Sequence, residues 1–149
     1  MAKECGADAH LQVTPYYNKT SQKGLIKHYL YIADRVDLPM ILYNVPARTG
    51  MNIAPSTYAE LARRTHIVGF KEANANIADL IRTLDLCGDD IDAYSGEDQL
   101  TLPMLAVGAK GVISVVSNIL PAQMHELCDD FFDLLQKNQR EELPLIFIF

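Results

Sequence analysis

Ile67-Val68-Gly69-Phe70-Lys71-Glu72 is an apolar run that ends abruptly in a lysine. This pattern is typical of a buried strand that delivers one ionisable side chain to the rim of a site. For Lys71 taken alone, a solvated lysine after a strand is the commoner situation, because most lysines lie on protein surfaces. The site interpretation is favoured because reactive side chains recur at the ends of similar apolar runs elsewhere in the chain.

These similar runs alternate with helical patterns. Runs suited to strands end near residues 14, 43, 71, 95 and 116. Successive ends are between about 20 and 30 residues apart, which is typical of parallel strands joined by helical crossovers. A (β/α)8 barrel spends about 31 residues on each unit, so the chain has room for about five units and not for eight. The predicted strands are Ala9–Thr14, Met40–Tyr43, Ile67–Lys71, Ile91–Tyr94 and Val112–Val116.

A doubly wound five-stranded sheet is the main alternative to part of a barrel. Such a sheet usually carries a glycine-rich phosphate-binding turn directly after a strand. The pair Gly108 and Gly111 instead comes before a strand. The sequence therefore favours an α/β fold of the barrel type.

Capping residues and breakers indicate where the helices begin and end. Ser21 can cap a helix that runs to about Val36. Asn74 or Asn76 can cap another helix, which Gly88 ends.

Two further segments complete the prediction. Residues 44–50 are predicted to form a loop because they contain proline and glycine. Pro121 opens a last helix, in which apolar residues recur at helical spacing. Its predicted core positions are Met124, Leu127, Cys128, Phe131, Leu134 and Leu135.

Composition excludes several classes of protein. The chain of 149 residues is 49% hydrophobic and 21% charged, with a net charge of −6. It has no basic run, so we expect no nucleic-acid partner, and no apolar run of the roughly 18 residues that cross a membrane. The three cysteines form no CxxC pair, which indicates reduced thiols and a cytoplasmic location. The four histidines lack metal-ligand spacing, so no metal site is expected.

Polar side chains follow every predicted strand. In parallel α/β folds the carboxyl ends of all strands open onto one face, so side chains that are scattered in sequence can converge there. The candidates are Tyr17, Tyr43 with Arg48, Lys71, Gly96 with Glu97 and Asp98, and Ser114 with Ser117.

A lysine in an apolar pocket has a chemical use. Burial disfavours its charged form and lowers its pKa, and the neutral amine can then attack a carbonyl group to form a Schiff base. A tyrosine such as Tyr43 can shuttle the protons of this reaction. An arginine such as Arg48 can grip the carboxylate of an acidic substrate through two donors.

Each candidate also has a purely structural interpretation. Tyr43 could be a core aromatic residue, and Arg48 could be a solvated loop residue. Glu97 and Asp98 are better explained as a charge pair at a helix N-terminus than as an acid/base dyad, because adjacent residues seldom point together. Tyr17 could be a surface aromatic residue.

Five motifs in the chain resemble, in order and spacing, the dihydrodipicolinate synthase family, also called 4-hydroxy-tetrahydrodipicolinate synthases. The resemblance extends from about Ala7 to about Leu135. The motifs are Val13-Thr-Pro-Tyr-Tyr-Asn18, Tyr43-Asn-Val-Pro-Ala-Arg-Thr-Gly50, Gly69-Phe-Lys-Glu-Ala73, Tyr94-Ser-Gly-Glu-Asp98 and Gly111-Val-Ile-Ser-Val115.

The resemblance implies an activity. Family members are (β/α)8 barrels, usually homotetramers, that condense pyruvate with aspartate-4-semialdehyde in lysine biosynthesis. By that resemblance Lys71 forms the Schiff base with pyruvate, and Tyr43 is the proton donor and acceptor beside it. Tyr17 would reach into a neighbouring subunit's site and complete its proton relay. No cofactor is implied beyond the covalent lysine–pyruvate Schiff base.

The resemblance also implies how the substrates are bound. Arg48 would bind the carboxylate of the semialdehyde, and the backbone around Ile113 and Gly96 would line the pyruvate pocket. N-acetylneuraminate lyases and sugar-acid aldolases share the lysine and the tyrosine, so a related aldolase is the alternative. Arg48 favours the synthase, because sialic-acid lyases do not usually carry arginine there.

One family element is missing from the sequence. Family barrels carry a Gly-Thr-Thr-Gly-Glu loop whose threonines bind the pyruvate carboxylate, and no such segment is found here. The resemblance implies a single partial-barrel domain, 1–149, that comprises strands 4–8 of the family barrel and is truncated at both ends, with an apolar tail at 143–149. We expect a fragment whose open sheet edges favour association. A non-catalytic partial barrel is the third interpretation.

Overall fold

The computed structural model describes residues 3–64 and 66–138. These residues fall into two compact units that divide between Ile113 and Ser114. The predicted apolar tail, 143–149, lies outside the described residues. The described part of the first unit contains the strands β1 (His10–Val13), β2 (Met40–Asn44), β3 (Ile67–Glu72), β4 (Asp92–Ser95) and β5 (Gly111–Val112), and the helices α1 (Gln22–Ala33), α2 (Pro46–Thr49), α3 (Pro55–Ala62), α4 (Ile77–Cys87) and α5 (Thr101–Ala106).

The five strands form one sheet in the order β1-β2-β3-β4-β5. Every neighbouring pair is parallel. A doubly wound sheet reverses its strand order at a switch point, whereas here each strand is added beside the previous one. The prediction of about five βα units of a (β/α)8 barrel is therefore confirmed, and the doubly wound alternative is wrong.

The two faces of the sheet have different environments. Along β2, Met40, Leu42 and Asn44 are buried, whereas Ile41 and Tyr43 are only half-buried. The alternation follows from the two-residue period of a strand, which sends successive side chains to opposite faces. We call the face that carries Leu42 the core face, and the face that carries Tyr43 the site face.

Large side chains from the helices and strands fill the core. The ring of Phe70 on β3 lies 4.5 Å from the ring of Tyr58 on α3, centroid to centroid. Leu25 and Tyr29 from α1 are also fully buried. Burial of aromatic and aliphatic side chains of this size is the main favourable contribution to folding.

The predicted helix signals act as expected. The side chain of Ser21 accepts a hydrogen bond from the backbone N–H of Gly24 at the start of α1. Asn76, one of the two residues predicted to cap α4, accepts one from the backbone N–H of Asp79. Gly88 ends α4 at φ +56, a conformation that residues with a side chain rarely adopt.

Two predicted boundaries were wrong. Residues 46–49 form the short helix α2 rather than a loop, because Pro46 presets the first turn and Gly50 closes the last one at φ +63. The last strand was predicted to reach Val116, but β5 ends at Val112. Its hydrogen-bonded partner, β4, ends at Ser95, so the ladder has no partner strand beyond that residue.

The second unit begins with a 3₁₀ turn (Val116–Asn118) that precedes α6 (Pro121–Asn138). The start of α6 at Pro121 agrees with the prediction. Four of the six predicted core positions on α6 are half-buried, whereas Leu134 and Leu135 are exposed. The described part of this unit has no further element that could cover the last turns of α6.

Candidate active site

Tyr43 and Lys71 are direct neighbours across β2 and β3, and Tyr94 on β4 continues the same row. All three are half-buried and lie on the site face near the carboxyl ends of their strands. The ammonium nitrogen of Lys71 lies 4.4 Å from the centroid of the Tyr43 ring. The structure therefore brings together the two residues that were predicted to perform the covalent and proton-transfer steps.

The environment of Lys71 lowers the pKa of its amine. Partial burial lowers the pKa of Lys71, and the nearby carboxylates of Asp98 and Glu97 oppose this effect. The net direction is downward, so more of the amine is deprotonated at neutral pH than in a fully solvated lysine. A deprotonated amine is the form that attacks a carbonyl carbon.

Tyr43 responds to charges on two neighbouring segments. Burial raises the pKa of the Tyr43 hydroxyl, the Glu97 carboxylate raises it further, and the Arg48 guanidinium lowers it. Glu97 was predicted to be part of a charge pair at a helix N-terminus, and it does precede a 3₁₀ turn. Its charge nevertheless also acts on both Tyr43 and Lys71, an effect that the sequence interpretation missed.

Arg48 lies on α2, directly after β2, and its side chain is exposed. Hydrogen bonds of the next residue, Thr49, stabilise the segment that carries Arg48. The Thr49 hydroxyl donates to the backbone carbonyls of Val45 and Met51 at 3.2 and 3.1 Å and accepts from the Met51 N–H. Arg48 thus has an exposed, charged side chain on a turn that hydrogen bonds hold in place, and its charge acts on Tyr43.

Gly96 and Ile113 are held by backbone hydrogen bonds at the same edge of the sheet. The N–H of Gly96 donates to the Glu72 carbonyl at 2.7 Å, and the N–H of Ile113 donates to the Ser95 carbonyl at 2.8 Å. A Cβ at position 96 would lie 2.9 Å from the Cβ of Ala73, so only glycine allows this approach.

Tyr17 lies apart from the buried part of the site. Its side chain is 89% exposed, and that of the preceding Tyr16 is also exposed. A fully solvated side chain of this size is available to another molecule, although in this chain alone it performs no packing role. The predicted role of Tyr17 stays a prediction.

Two groups of residues were missed by the sequence interpretation. The first is Tyr94, whose ring passes close to the positions where Gly69 and Gly111 would carry side chains, at 3.2 and 3.6 Å from their ideal Cβ positions. The absence of a side chain at Gly69 on β3 and at Gly111 on β5 leaves room for this ring on the site face. Glycines in the two strands that flank an aromatic residue are the sequence signal that could have indicated it.

The second group is a buried polar cluster on the core face, behind Tyr43 and Lys71. The side-chain amide of Asn44 donates to both carboxylate oxygens of Glu72, at 2.9 and 3.1 Å, and to Asn52 at 2.7 Å. The Tyr58 hydroxyl donates to Glu72 at 3.1 Å, and the backbone N–H of Asn74 donates to it at 2.8 Å. Polar residues at inward positions of apolar strands are the signal for this cluster.

Burial of Glu72 has a consequence for stability that can be measured. Desolvation raises the pKa of Glu72 from 4.5 to about 7, although hydrogen bonds from Asn74, Asn44 and Tyr58 oppose the rise. The folded state holds the Glu72 proton more tightly than the unfolded state, so protonation of Glu72 stabilises the fold. This contribution to the free energy of unfolding is complete below pH 4.5 and is lost as the pH rises through 7. The loss amounts to about 3 kcal/mol, since one pKa unit corresponds to 1.36 kcal/mol.

We therefore expect the free energy of unfolding of the wild-type chain to fall, relative to Glu72→Gln, by about 3 kcal/mol between pH 4 and pH 8. Glutamine has nearly the same shape and does not titrate. Urea unfolding curves at several pH values measure the difference. Glu60→Gln, at an exposed position of α3, is the matched control and should follow the wild-type profile. Parallel profiles for wild type and Glu72→Gln would contradict the expectation.

The described residues contain no group of three histidine, cysteine or carboxylate side chains arranged to hold a metal ion. Over the same residues no helix is both long and apolar enough to cross a bilayer.

Comparison with known proteins gives a consistent result. A model of the dihydrodipicolinate synthetase family matches residues 1–146 of the chain. The chain is 56% identical over 131 residues to the 4-hydroxy-tetrahydrodipicolinate synthase of Geobacter sulfurreducens, an alignment that covers 88% of this chain and 45% of that protein. The chain thus spans about half the length of the curated relatives it matches.

Solved structures agree with the fold. The dihydrodipicolinate synthase of Thermotoga maritima superposes with a TM-score of 0.86 at 46% identity, covering 94% of this chain and 49% of that one. The Acinetobacter baumannii dihydrodipicolinate synthase, determined in complex with pyruvate, superposes with a TM-score of 0.85 at 44% identity. That superposition covers 89% of this chain and 45% of the Acinetobacter chain.

Proposed function

Because the chain belongs to the dihydrodipicolinate synthetase family, we propose that its site performs the Schiff-base condensation of pyruvate with aspartate-4-semialdehyde. The observation that carries the proposal is the placement of the Lys71 amine 4.4 Å from the centroid of the Tyr43 ring, at the carboxyl ends of adjacent strands. The product would be 4-hydroxy-tetrahydrodipicolinate, for lysine and diaminopimelate biosynthesis in the cytoplasm.

The covalent step uses the neutral amine of Lys71. Its lone pair attacks the keto carbon of pyruvate, a proton reaches the keto oxygen, and loss of water leaves an imine between Lys71 and the substrate. The imine withdraws electrons from the adjacent methyl group, which loses a proton to form an enamine. Because the imine itself accepts the electron pair, the reaction needs no separate cofactor.

Tyr43 is the group placed to move these protons. The enamine carbon attacks the aldehyde carbon of the second substrate, and the resulting alkoxide takes up a proton. The amino group of the second substrate then attacks the imine carbon and displaces the Lys71 amine, which closes the ring of the product and frees Lys71. The Tyr43 hydroxyl can donate at one step and accept at the next. Burial and Glu97 favour its protonated form, whereas Arg48 favours the phenolate, and the net effect raises the pKa of the hydroxyl.

The remaining site residues bind the substrates. We assign the carboxylate of the semialdehyde to Arg48, whose planar fork matches a carboxylate with two hydrogen bonds. The backbone around Gly96 and Ile113 lines the pyruvate pocket in this proposal. The exposed Tyr17 serves the site of a neighbouring copy, which requires a homo-oligomer, a tetramer by family resemblance.

Trapping with pyruvate tests this function directly. The chain is incubated with pyruvate and sodium borohydride, which reduces an imine to a stable amine, and the modified peptide is identified by mass spectrometry. We expect one adduct for each chain, on Lys71. A folded sample that gives no adduct would reject the proposed function for this chain and favour a partial barrel without catalysis.

Arg48 separates the synthase from a related sugar-acid aldolase. We expect Arg48→Ala to lower kcat/KM for aspartate-4-semialdehyde by about 10- to 100-fold, since a hydrogen-bonded charge contributes about 1.5–3 kcal/mol. Borohydride trapping of pyruvate on Lys71 should persist, because imine formation precedes binding of the second substrate and the Arg48 charge acts on it only through the pKa of Tyr43. Arg82→Ala, which removes an exposed arginine from α4, is the matched control. An unchanged kcat/KM in Arg48→Ala, or a preference of the wild type for sugar-acid substrates, would favour the aldolase.

A further inference from the structure

The polar cluster on the core face lies one residue beyond the two reactive side chains. Asn44 follows Tyr43 on β2, Glu72 follows Lys71 on β3, and the two are register partners, as Tyr43 and Lys71 are. Asn44 is 1% exposed and Glu72 is 6% exposed. The hydrogen bonds between them therefore join the two strands at the point where the strands present Tyr43 and Lys71 to the opposite face.

Both members of the pair are themselves held. The Asn44 side-chain carbonyl accepts a hydrogen bond from the backbone N–H of Ile53 at 3.1 Å, which fixes the orientation of the amide. Its amide nitrogen therefore points at the Glu72 carboxylate, to which Tyr58 and the Asn74 N–H also donate. The pair connects β2 and β3 to α3 and to the segments that follow both strands.

We propose that Asn44 and Glu72 form a positioning clamp, which holds the backbone of Tyr43 and Lys71 at the separation that their reaction requires. Both residues act through their neighbours and touch no substrate. The proposal rests on the proposed function, because the clamp is said to position the two groups that perform that reaction. The hydrogen bonds of the clamp, in contrast, join β2 and β3 whatever reaction the site performs.

Stability alone does not explain the pair. A carboxylate in the core layer costs free energy at neutral pH, whereas an apolar residue of similar volume in such a layer is often neutral or stabilising. Groups that oppose local stability are typical of functional sites. Reactive groups also depend on their placement, since a displacement of about 1 Å can cost about 100-fold in rate.

Four substitutions separate positioning from general stability. Asn44→Leu and Glu72→Leu remove the strand-to-strand hydrogen bonds and keep a similar volume. Glu72→Gln keeps an acceptor for the Asn44 amide. Tyr58→Phe removes a hydrogen bond to Glu72 from the helix side and leaves the two strands joined, so it is the matched control.

The first measurement is the rate of borohydride-trapped pyruvate adduct on Lys71, divided by the folded fraction from circular dichroism. We expect a loss of at least tenfold in Asn44→Leu and Glu72→Leu. We expect Glu72→Gln and Tyr58→Phe to stay within about threefold of wild type, because in both the strands remain joined. If the leucine variants do not fold, Asn44→Ser, which keeps a small polar side chain, replaces them with the same expected loss.

The second measurement needs no pyruvate, so it distinguishes failure of the clamp from failure of the proposed function. Brief labelling with acetic anhydride at a series of pH values, followed by peptide mass spectrometry, gives the pH midpoint at which Lys71 becomes reactive. We expect this midpoint to rise in the leucine variants towards the ordinary lysine value, because a loosened strand end admits water. The exposed Lys27 serves as the internal reference in every variant.

The outcomes are distinct. A wild-type chain without a pyruvate adduct rejects the proposed function, and the labelling midpoints then decide on the clamp alone. Leucine variants with unchanged midpoints, or with adduct rates that change only with the folded fraction, would reject the clamp. A loss in Tyr58→Phe as large as in Asn44→Leu would also reject it, because general destabilisation would then be sufficient.

Discussion

Lys71→Ala should abolish the trapped pyruvate adduct, and Lys71→Arg should abolish it equally. Alanine removes the nucleophile. Arginine keeps the positive charge and most of the length, but its guanidinium stays protonated and offers no neutral nitrogen to attack the keto carbon. The expected result is loss of the adduct below detection in both variants, measured by intact mass and by peptide mapping after borohydride reduction.

Lys110→Ala is the control for this experiment, because Lys110 is an exposed lysine on the segment just before β5. It should form the adduct at the wild-type rate. The wild-type rate should also rise with pH through a midpoint below the ordinary lysine pKa, since burial lowers the pKa of Lys71 and the deprotonated amine is the reacting form. An adduct that persists in Lys71→Ala would assign the nucleophile to another lysine.

The parallel sheet could be predicted because its signals are local. Apolar runs, caps and breakers repeat at intervals that only helical crossovers between parallel strands explain. The position of Lys71 at the end of β3 follows from the same signals. The early end of β5 could not be predicted from its own apolar run, because the end depends on the ladder with β4, which stops at the pair Ser95 and Val112.

The contacts of the candidate site also differ in how far the sequence could predict them. The approach of Lys71 to Tyr43 follows from two strand ends in a parallel sheet, so the sequence could indicate it. The contact between Asn44 and Glu72 could not be predicted with equal ease, because both point away from the site and only the register between β2 and β3 pairs them. Glu97 is also far in sequence from Tyr43 and Lys71, whose pKa values its charge raises, so this effect could not be predicted either.

Leu42→Ala should lower the free energy of unfolding by about 3–5 kcal/mol, which is the usual cost of a leucine removed from a rigid core. Leu42 is 0% exposed and lies beside Phe70 in the register of β2 and β3, on the core face. The neighbouring side chains cannot close the resulting cavity without moving the strands, so both the transfer energy and the packing are lost. Urea unfolding at pH 6, followed by circular dichroism, measures the effect.

Leu11→Ala makes the identical chemical change on the other face of the same sheet. Leu11 is 43% exposed on β1, and its register partner is Ile41, which lies on the site face. Because much of this side chain is already in water, its removal should cost less than about 1 kcal/mol. A similar cost for both leucines would mean that the site face is as well covered in solution as the core face, and would contradict the difference between the two faces. A large cost for Leu42 alone would show that the core face carries the stability of the sheet, which leaves the site face free for chemistry.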